Sequence, residues 1–267
     1  MKHIFSAFLL LTGLMAAAVD VMIISDSTAV DYRNKRNPYT KGKTLWAPMS
    51  GWGEFAADAC QKETQLVNRA IGGYSSRTFA ERRLQKTARQ FTSGGWLLLS
   101  FGSNDARPNK TEPQRNTTAD KTYPEYLGRI ASAAQKAGMK VVIISPPPFY
   151  NTVDGKFANP VLAPYAVSAK KFAEANGYYF IDLFTAMSGY LAQLSDKDVR
   201  SHYMFLARGE SANWPKGRKD PLHFTRKGSR LIWQIIHREI ERKIPDLAKC
   251  FKPFTESAEL QKKEDQK

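Results

Sequence analysis

The chain has little cysteine and little histidine, and beyond its first residues it has no long apolar run. Two cysteines among 267 residues, Cys60 and Cys250, are too few for a disulfide-stapled scaffold and too far apart for a local metal knuckle. One disulfide in an oxidising compartment and two buried free thiols both fit this pair. Of the four histidines, His202 and His223 have no Cys or Glu at ligand spacing, so neither a zinc site nor any other cofactor is expected. The long apolar stretch lies at residues 4–15, broken by Ser6, Thr12 and Gly13. Lys2 and His3 precede it and Ala16, Ala17 and Ala18 follow, which reads as a signal peptide over residues 1–18. The run is too short for a comfortable membrane span, and no Cys follows the cleavage site to carry a lipid. The expectation is a soluble protein, secreted or periplasmic, with no stable membrane insertion after cleavage. Acid is scarce beside base: 25 Asp and Glu against 40 Lys and Arg, a net charge of +15. Such a surface favours polyanions, acidic polysaccharide among them, or simply serves solubility. The basic residues are scattered and not interleaved with aromatics, so no nucleic-acid partner is expected.

What is present is a repeating alternation. Short apolar runs at residues 21–24, 65–68, 96–101, 141–144 and 178–181 read as strands. Helical patterns fall between and after them, at residues 52–60, 76–91, 123–137, 160–176, 184–194 and 225–243. A polar, Pro-containing loop covers residues 106–121, and Pro146, Pro147 and Pro148 end one strand abruptly. Strands alternating with helices imply βαβ units and a parallel sheet covered on both faces. With no internal repeat and no linker, residues 19–254 read as one domain and residues 255–267 as a charged, disordered tail. Ligands of such sheets bind beyond the carboxyl ends of the strands. Ser27, Gly73 and Asn104 each stand just past a candidate strand.

Asp220 and His223 place an acid and an imidazole three residues apart before the last helical pattern. Alone, this pair reads equally as a helix cap. With Ser27 it offers nucleophile, base and orienting carboxylate in the chain order Ser, Asp, His. The backbone N–H groups of Ser27 and Gly73 and the Asn104 amide are candidate donors to an oxyanion. Taken singly, Ser27 reads as an N-cap, Gly72–Gly73 as a turn and Asn104–Asp105 as a cap pair.

These residues fall in four blocks, and their pattern resembles the SGNH (GDSL-like) hydrolases. Ser25, Asp26, Ser27 and Thr28 match the first block, and Asn68 through Gly73 the second. Phe101 through Asp105 match the third, and Asp220, Pro221, Leu222 and His223 the last. The resemblance implies a three-layer α/β/α sandwich on a central parallel sheet of about five strands, flavodoxin-like in outline. It implies Ser27 as nucleophile, His223 as base, Asp220 as orienting acid, and Ser27, Gly73 and Asn104 as oxyanion donors. Two departures stand out: Ser25 replaces the usual Gly of block one, and Ser103 the His common in the third block among acetylesterases. A narrower resemblance runs through Gly51, Trp52 and Gly53, through Gly72 to Phe79, and from Gly209 through Trp214 and Gly217 to Asp220. It is to bacterial rhamnogalacturonan acetylesterases, and implies an acetylated acidic polysaccharide or oligosaccharide as partner. Other acetylated glycans, a lipase or aryl-esterase activity, and a non-catalytic glycan-binding protein are the alternatives. Arg77 is a candidate for a substrate carboxylate or for a salt bridge. Trp214 is a candidate for stacking on a sugar ring or for packing its own loop.

Overall fold

The computed structural model describes residues 20–33, 47–108 and 110–253. The expected signal peptide, residues 1–18, and charged tail, residues 255–267, lie outside them. In chain order the elements are β1 (Val21–Ser25), β2 (Met49–Ser50), α1 (Trp52–Ala59), β3 (Leu66–Asn68), α2 (Ser76–Arg82), α3 (Leu84–Ala88) and β4 (Trp96–Ser100). They continue with α4 (Thr122–Lys136), β5 (Lys140–Ile144), β6 (Thr152–Val153), β7 (Lys156–Phe157), α5 (Ala163–Ala175) and β8 (Tyr179–Ile181). The chain then forms α6 (Leu183–Leu191), α7 (Asp196–Arg200), β9 (Tyr203–Leu206), β10 (Arg218–Thr225), α8 (Arg226–Lys243) and α9 (Pro245–Ala248).

The five runs read as strands form one parallel sheet in the order β3-β1-β4-β5-β8. Their central residues are apolar because both faces are covered, and successive side chains go to opposite sides. Val21, Ile23, Trp96, Leu98, Val142 and Ile144 pack with α1, α6 and α8. Met22, Ile24, Leu97, Leu99, Val141 and Ile143 pack with α2, α4 and α5. The result is the expected three-layer α/β/α sandwich. On the first face, Trp52 of α1 is fully buried and its ring lies parallel to Trp233 of α8 at 6.4 Å between centroids.

A second, antiparallel sheet, β2-β10-β9, stands apart from the first. Its register shifts between Asp220 and Phe224. The Asp220–His223 segment therefore lies in an irregular strand, and the last helix takes its cap from Thr225, whose side chain accepts from Gly228 N–H. The single helix expected over residues 76–91 is two helices, because Arg83 leaves the helical region at φ −127° and ψ −26°. Cys60 and Cys250 are free thiols on neighbouring segments: Gln61 N–H donates to the Cys250 carbonyl at 2.9 Å, and Lys252 N–H to the Ala59 carbonyl at 2.8 Å.

Candidate active site

β1 ends in a tight turn that carries Ser27. Asp26 caps the single 3-10 turn Ser27–Ala29, its carboxylate accepting from Thr28 N–H at 2.9 Å and Thr28 Oγ1–H at 2.7 Å. The turn is clamped from outside. Asn68 Nδ2–H donates to the Ala29 carbonyl at 2.7 Å, and Tyr32 Oη–H to the Ser27 carbonyl at 3.1 Å. α1 also presses against it: a side chain at Gly53 would collide with the Ala29 carbonyl and with Asn68 Nδ2. The Gly51–Gly53 segment therefore has a local physical reason for its two glycines.

His223 reaches this turn from the second sheet. Its Nε2 lies 3.1 Å from Ser27 Oγ and its Nδ1 2.7 Å from Asp220 Oδ2. A carboxylate only accepts, so Nδ1–H donates to Asp220 and Nε2 is left to accept the serine proton. Asp220 is itself well held. Its Oδ1 accepts Leu222 N–H at 2.9 Å and His223 N–H at 3.1 Å, which accounts for the irregular strand. Its Oδ2 also accepts Arg218 Nε–H at 3.0 Å. Burial pushes this carboxyl upward, but the hydrogen bond and charge of His223 and the Arg218 guanidinium hold it well below the usual carboxylate range.

Asn104 reaches the segment just after Gly73 through one carbonyl. Asn104 Nδ2–H donates to the Tyr74 carbonyl at 2.9 Å, which sets the amide against the Tyr74–Ser75 peptide and leaves its second N–H over. Gly73 adopts φ +77°, a left-handed conformation that a side chain would strain. Ile71 N–H donates to the Ser25 carbonyl at 3.0 Å and ties this turn to the end of β1. Among the described residues, neither Ser27 nor Gly73 donates its backbone N–H to a protein acceptor. Both are thus available to an oxyanion. Ser25 and Ser103, the two departures, are fully buried, and neither hydroxyl makes a hydrogen bond among the described residues.

Sequence reasoning missed three supports of this site. Asp105 is buried and accepts from Ser76 N–H, Ser76 Oγ–H and Thr117 Oγ1–H, so it anchors the start of α2 beside the Gly73 turn. Burial pushes its carboxyl up to about 6 against those hydrogen bonds. Arg218 completes Asp220, and Arg115 Nη1–H donates to the Gly73 carbonyl at 3.3 Å. Asp105 was legible only as part of the third block and a cap pair, and its partners Ser76 and Thr117 lie far from it in the chain, as Gly73 does from Arg115. Arg77 pairs with Glu81 at 3.1 Å and lies over the Tyr126 ring. Trp214 lies under the Arg218 guanidinium, 4.2 Å from the ring centre, and packs on the cluster of Val30, Tyr32, Met49 and Met204.

A hydroxyl, an imidazole and a carboxylate in one hydrogen-bonded line, beside the strand ends of an α/β/α sandwich, are the parts of a serine hydrolase. The chain belongs to the GDSL-like lipase/acylhydrolase family, whose model matches residues 26–231. Among its relatives is the probable rhamnogalacturonan acetylesterase YesY of Bacillus subtilis, 28% identical over 222 residues, or 83% of this chain and 92% of YesY. The rhamnogalacturonan acetylesterase RhgT of the same organism is 26% identical over 229 residues, 85% of this chain and 92% of RhgT. Two solved structures share the fold. Protein YXIM of Bacillus subtilis superposes with a TM-score of 0.65 at 22% identity, over 85% of this chain and 57% of its own. The acetylxylan esterase Axe2 of Geobacillus stearothermophilus superposes at 0.58 and 19% identity, over 82% and 93%.

Proposed function

We propose that this esterase removes O-acetyl groups from acidic pectin of the rhamnogalacturonan type. The observation that carries the chemistry is the continuous line Asp220 Oδ2, His223 Nδ1, His223 Nε2, Ser27 Oγ, with both links at hydrogen-bond length. Ser27 Oγ attacks the acetyl carbonyl as its proton passes to His223 Nε2, and Ser27 N–H, Gly73 N–H and Asn104 Nδ2–H hold the oxyanion. The tetrahedral intermediate collapses, the C–O bond to the sugar breaks, and His223 gives the proton to the departing sugar oxygen, which leaves as a hydroxyl. An acetyl-serine remains. Water then gives a proton to His223 and attacks, acetate leaves, and the proton returns to Ser27. The names of the two Bacillus relatives support a pectin substrate, and the net charge of +15 suits a polymer bearing uronate carboxylates. The signal-like residues 1–18 support export to the periplasm or medium, which the N-terminal mass of protein recovered from the producing cell tests.

Acetylxylan is the second reading, favoured by the fold shared with Axe2. Acetate release from acetylated rhamnogalacturonan and from acetylated xylan, measured side by side, separates the two. The expected result is faster release from rhamnogalacturonan, abolished in a folded Ser27→Ala variant. Release from xylan alone overturns the pectin substrate, and release by Ser27→Ala equal to wild type overturns the nucleophile.

A further inference from the structure

We propose that Arg115, with Arg107 near it, forms a subsite for the free carboxylate of an acidic sugar that flanks the acetylated one. The proposal rests on the pectin reading above and deepens it. Arg115 closes the 3-10 turn Pro113–Arg115, in the loop that follows β4 and the Asn104 turn. Its guanidinium sits directly against the oxyanion side of the site: Nη1–H reaches the Gly73 carbonyl, and Nη1 is the nearest atom, 4.0 Å away, to where a Gly73 side chain would begin. Its Nε is buried and has no acceptor. Burial lowers the guanidinium pKa from its ordinary value, a sign of a cation set in a poorly solvated place.

Among the described residues, Arg83, which lies over the Tyr74 ring, also has a buried Nε without an acceptor, whereas three other arginines are paired. Arg77, Arg82 and Arg218 each pair with a carboxylate: Glu81, Glu112 and Asp220. Among the described residues, Arg115 and Arg107 pair with none. Arg107 instead lies over the Phe149 ring at 5.6 Å. The next residue, Tyr150, donates its N–H to the Pro221 carbonyl at 2.7 Å, between Asp220 and His223. Arg107 thus stands by the segment that carries the base, and Arg115 by the segment that carries the oxyanion donors. Glu112, itself paired with Arg82, offsets part of the charge on Arg115, and Arg107 adds to it. A guanidinium offers a planar fork that a carboxylate fills with two parallel N–H···O bonds. A neutral xylan chain brings no such group, and a methyl-esterified uronate loses the charge but keeps the shape.

The experiment compares acetylated rhamnogalacturonan oligosaccharides carrying free carboxylates with the same oligosaccharides after methyl esterification. Wild type, Arg115→Gln and Arg115→Lys are assayed for acetate release on both. Wild type is expected to favour the free acid by about tenfold in kcat/KM, with the preference shrinking as salt is raised. Arg115→Gln is expected to lose that preference, mainly through KM, and Arg115→Lys to recover part of it. Melting curves and turnover of p-nitrophenyl acetate report whether each variant is folded with a working triad. A folded Arg115→Gln enzyme that keeps the wild-type preference, or that loses both substrates equally, overturns the subsite and leaves the pectin reading standing. Wild-type release from xylan with none from either acidic form overturns both.

Discussion

Asp220 gathers donors on both of its oxygens, and this makes it the most heavily supported group in the site. Oδ2 serves two masters, the imidazole that it orients and the guanidinium of Arg218 that holds it in turn. Replacing Asp220 with Asn keeps the shape but offers an amide N–H or a neutral oxygen where the imidazole N–H needs an anion. The favoured tautomer then places a proton on Nε2, facing Ser27. Asp220→Asn is expected to lower kcat on the order of 10³–10⁴-fold, as loss of tautomer control does in a serine triad. Arg218→Gln, which leaves the carboxylate in place but frees one side of it, is expected to cost about tenfold. Steady-state rates on p-nitrophenyl acetate check both, and equal losses for the two would deny Arg218 its supporting rank. Asp220, His223 and Ser27 were legible in the sequence because their types and chain order carry the chemistry. Arg218 and Arg115 were not, since a basic residue in a basic chain gives no signal until its partner is known.

At the scale of elements, the turn after β1 depends on how closely α1 approaches it. Gly53→Ala would push a methyl group into the Ala29 carbonyl and the Asn68 amide, so either the helix or the Ser27 turn must shift. The expected cost is about 1–3 kcal/mol of stability, with at least a tenfold fall in kcat as Ser27 moves from His223. Gly189→Ala in α6 is the control, since nothing lies within 4 Å of the added atom. It should leave stability within about 1 kcal/mol of wild type, and rates and urea titrations of the pair check the contrast. The five strands of the main sheet were readable because apolar runs buried on both faces have a plain pattern. β9 and β10 were not. Arg218–Thr225 mixes charge with Pro221, a residue that argues against a strand, and its strand character comes from pairing with Tyr203–Leu206. The break at Arg83 was equally hidden, because the residues around it suit a continuous helix.

For the whole molecule, Asp105 links stability to pH. The fold favours its neutral form, so between pH 3.8 and about 6 the native state holds more proton than the unfolded chain. Stability from this group is therefore greatest below that window and falls as pH rises through it, by roughly 3 kcal/mol at most. Asp105→Asn removes the slope. Melting temperatures at pH 4, 5, 6 and 7 should show the variant gaining on wild type as pH increases, and a gap that stays constant with pH contradicts the assignment. Ser27, Gly73 and Asn104 follow strands of the five-stranded sheet, while His223 and Asp220 stand on the separate three-stranded one. The 3.1 Å between Nε2 and Oγ is thus a distance between two bodies of structure, with no strand shared between them. Tyr203 and Phe224 of the smaller sheet are buried in the same apolar cluster as Val21 and Ile23 of the larger one, so activity and fold should be lost together on heating. The stability that matters for activity is the grip of one sheet on the other.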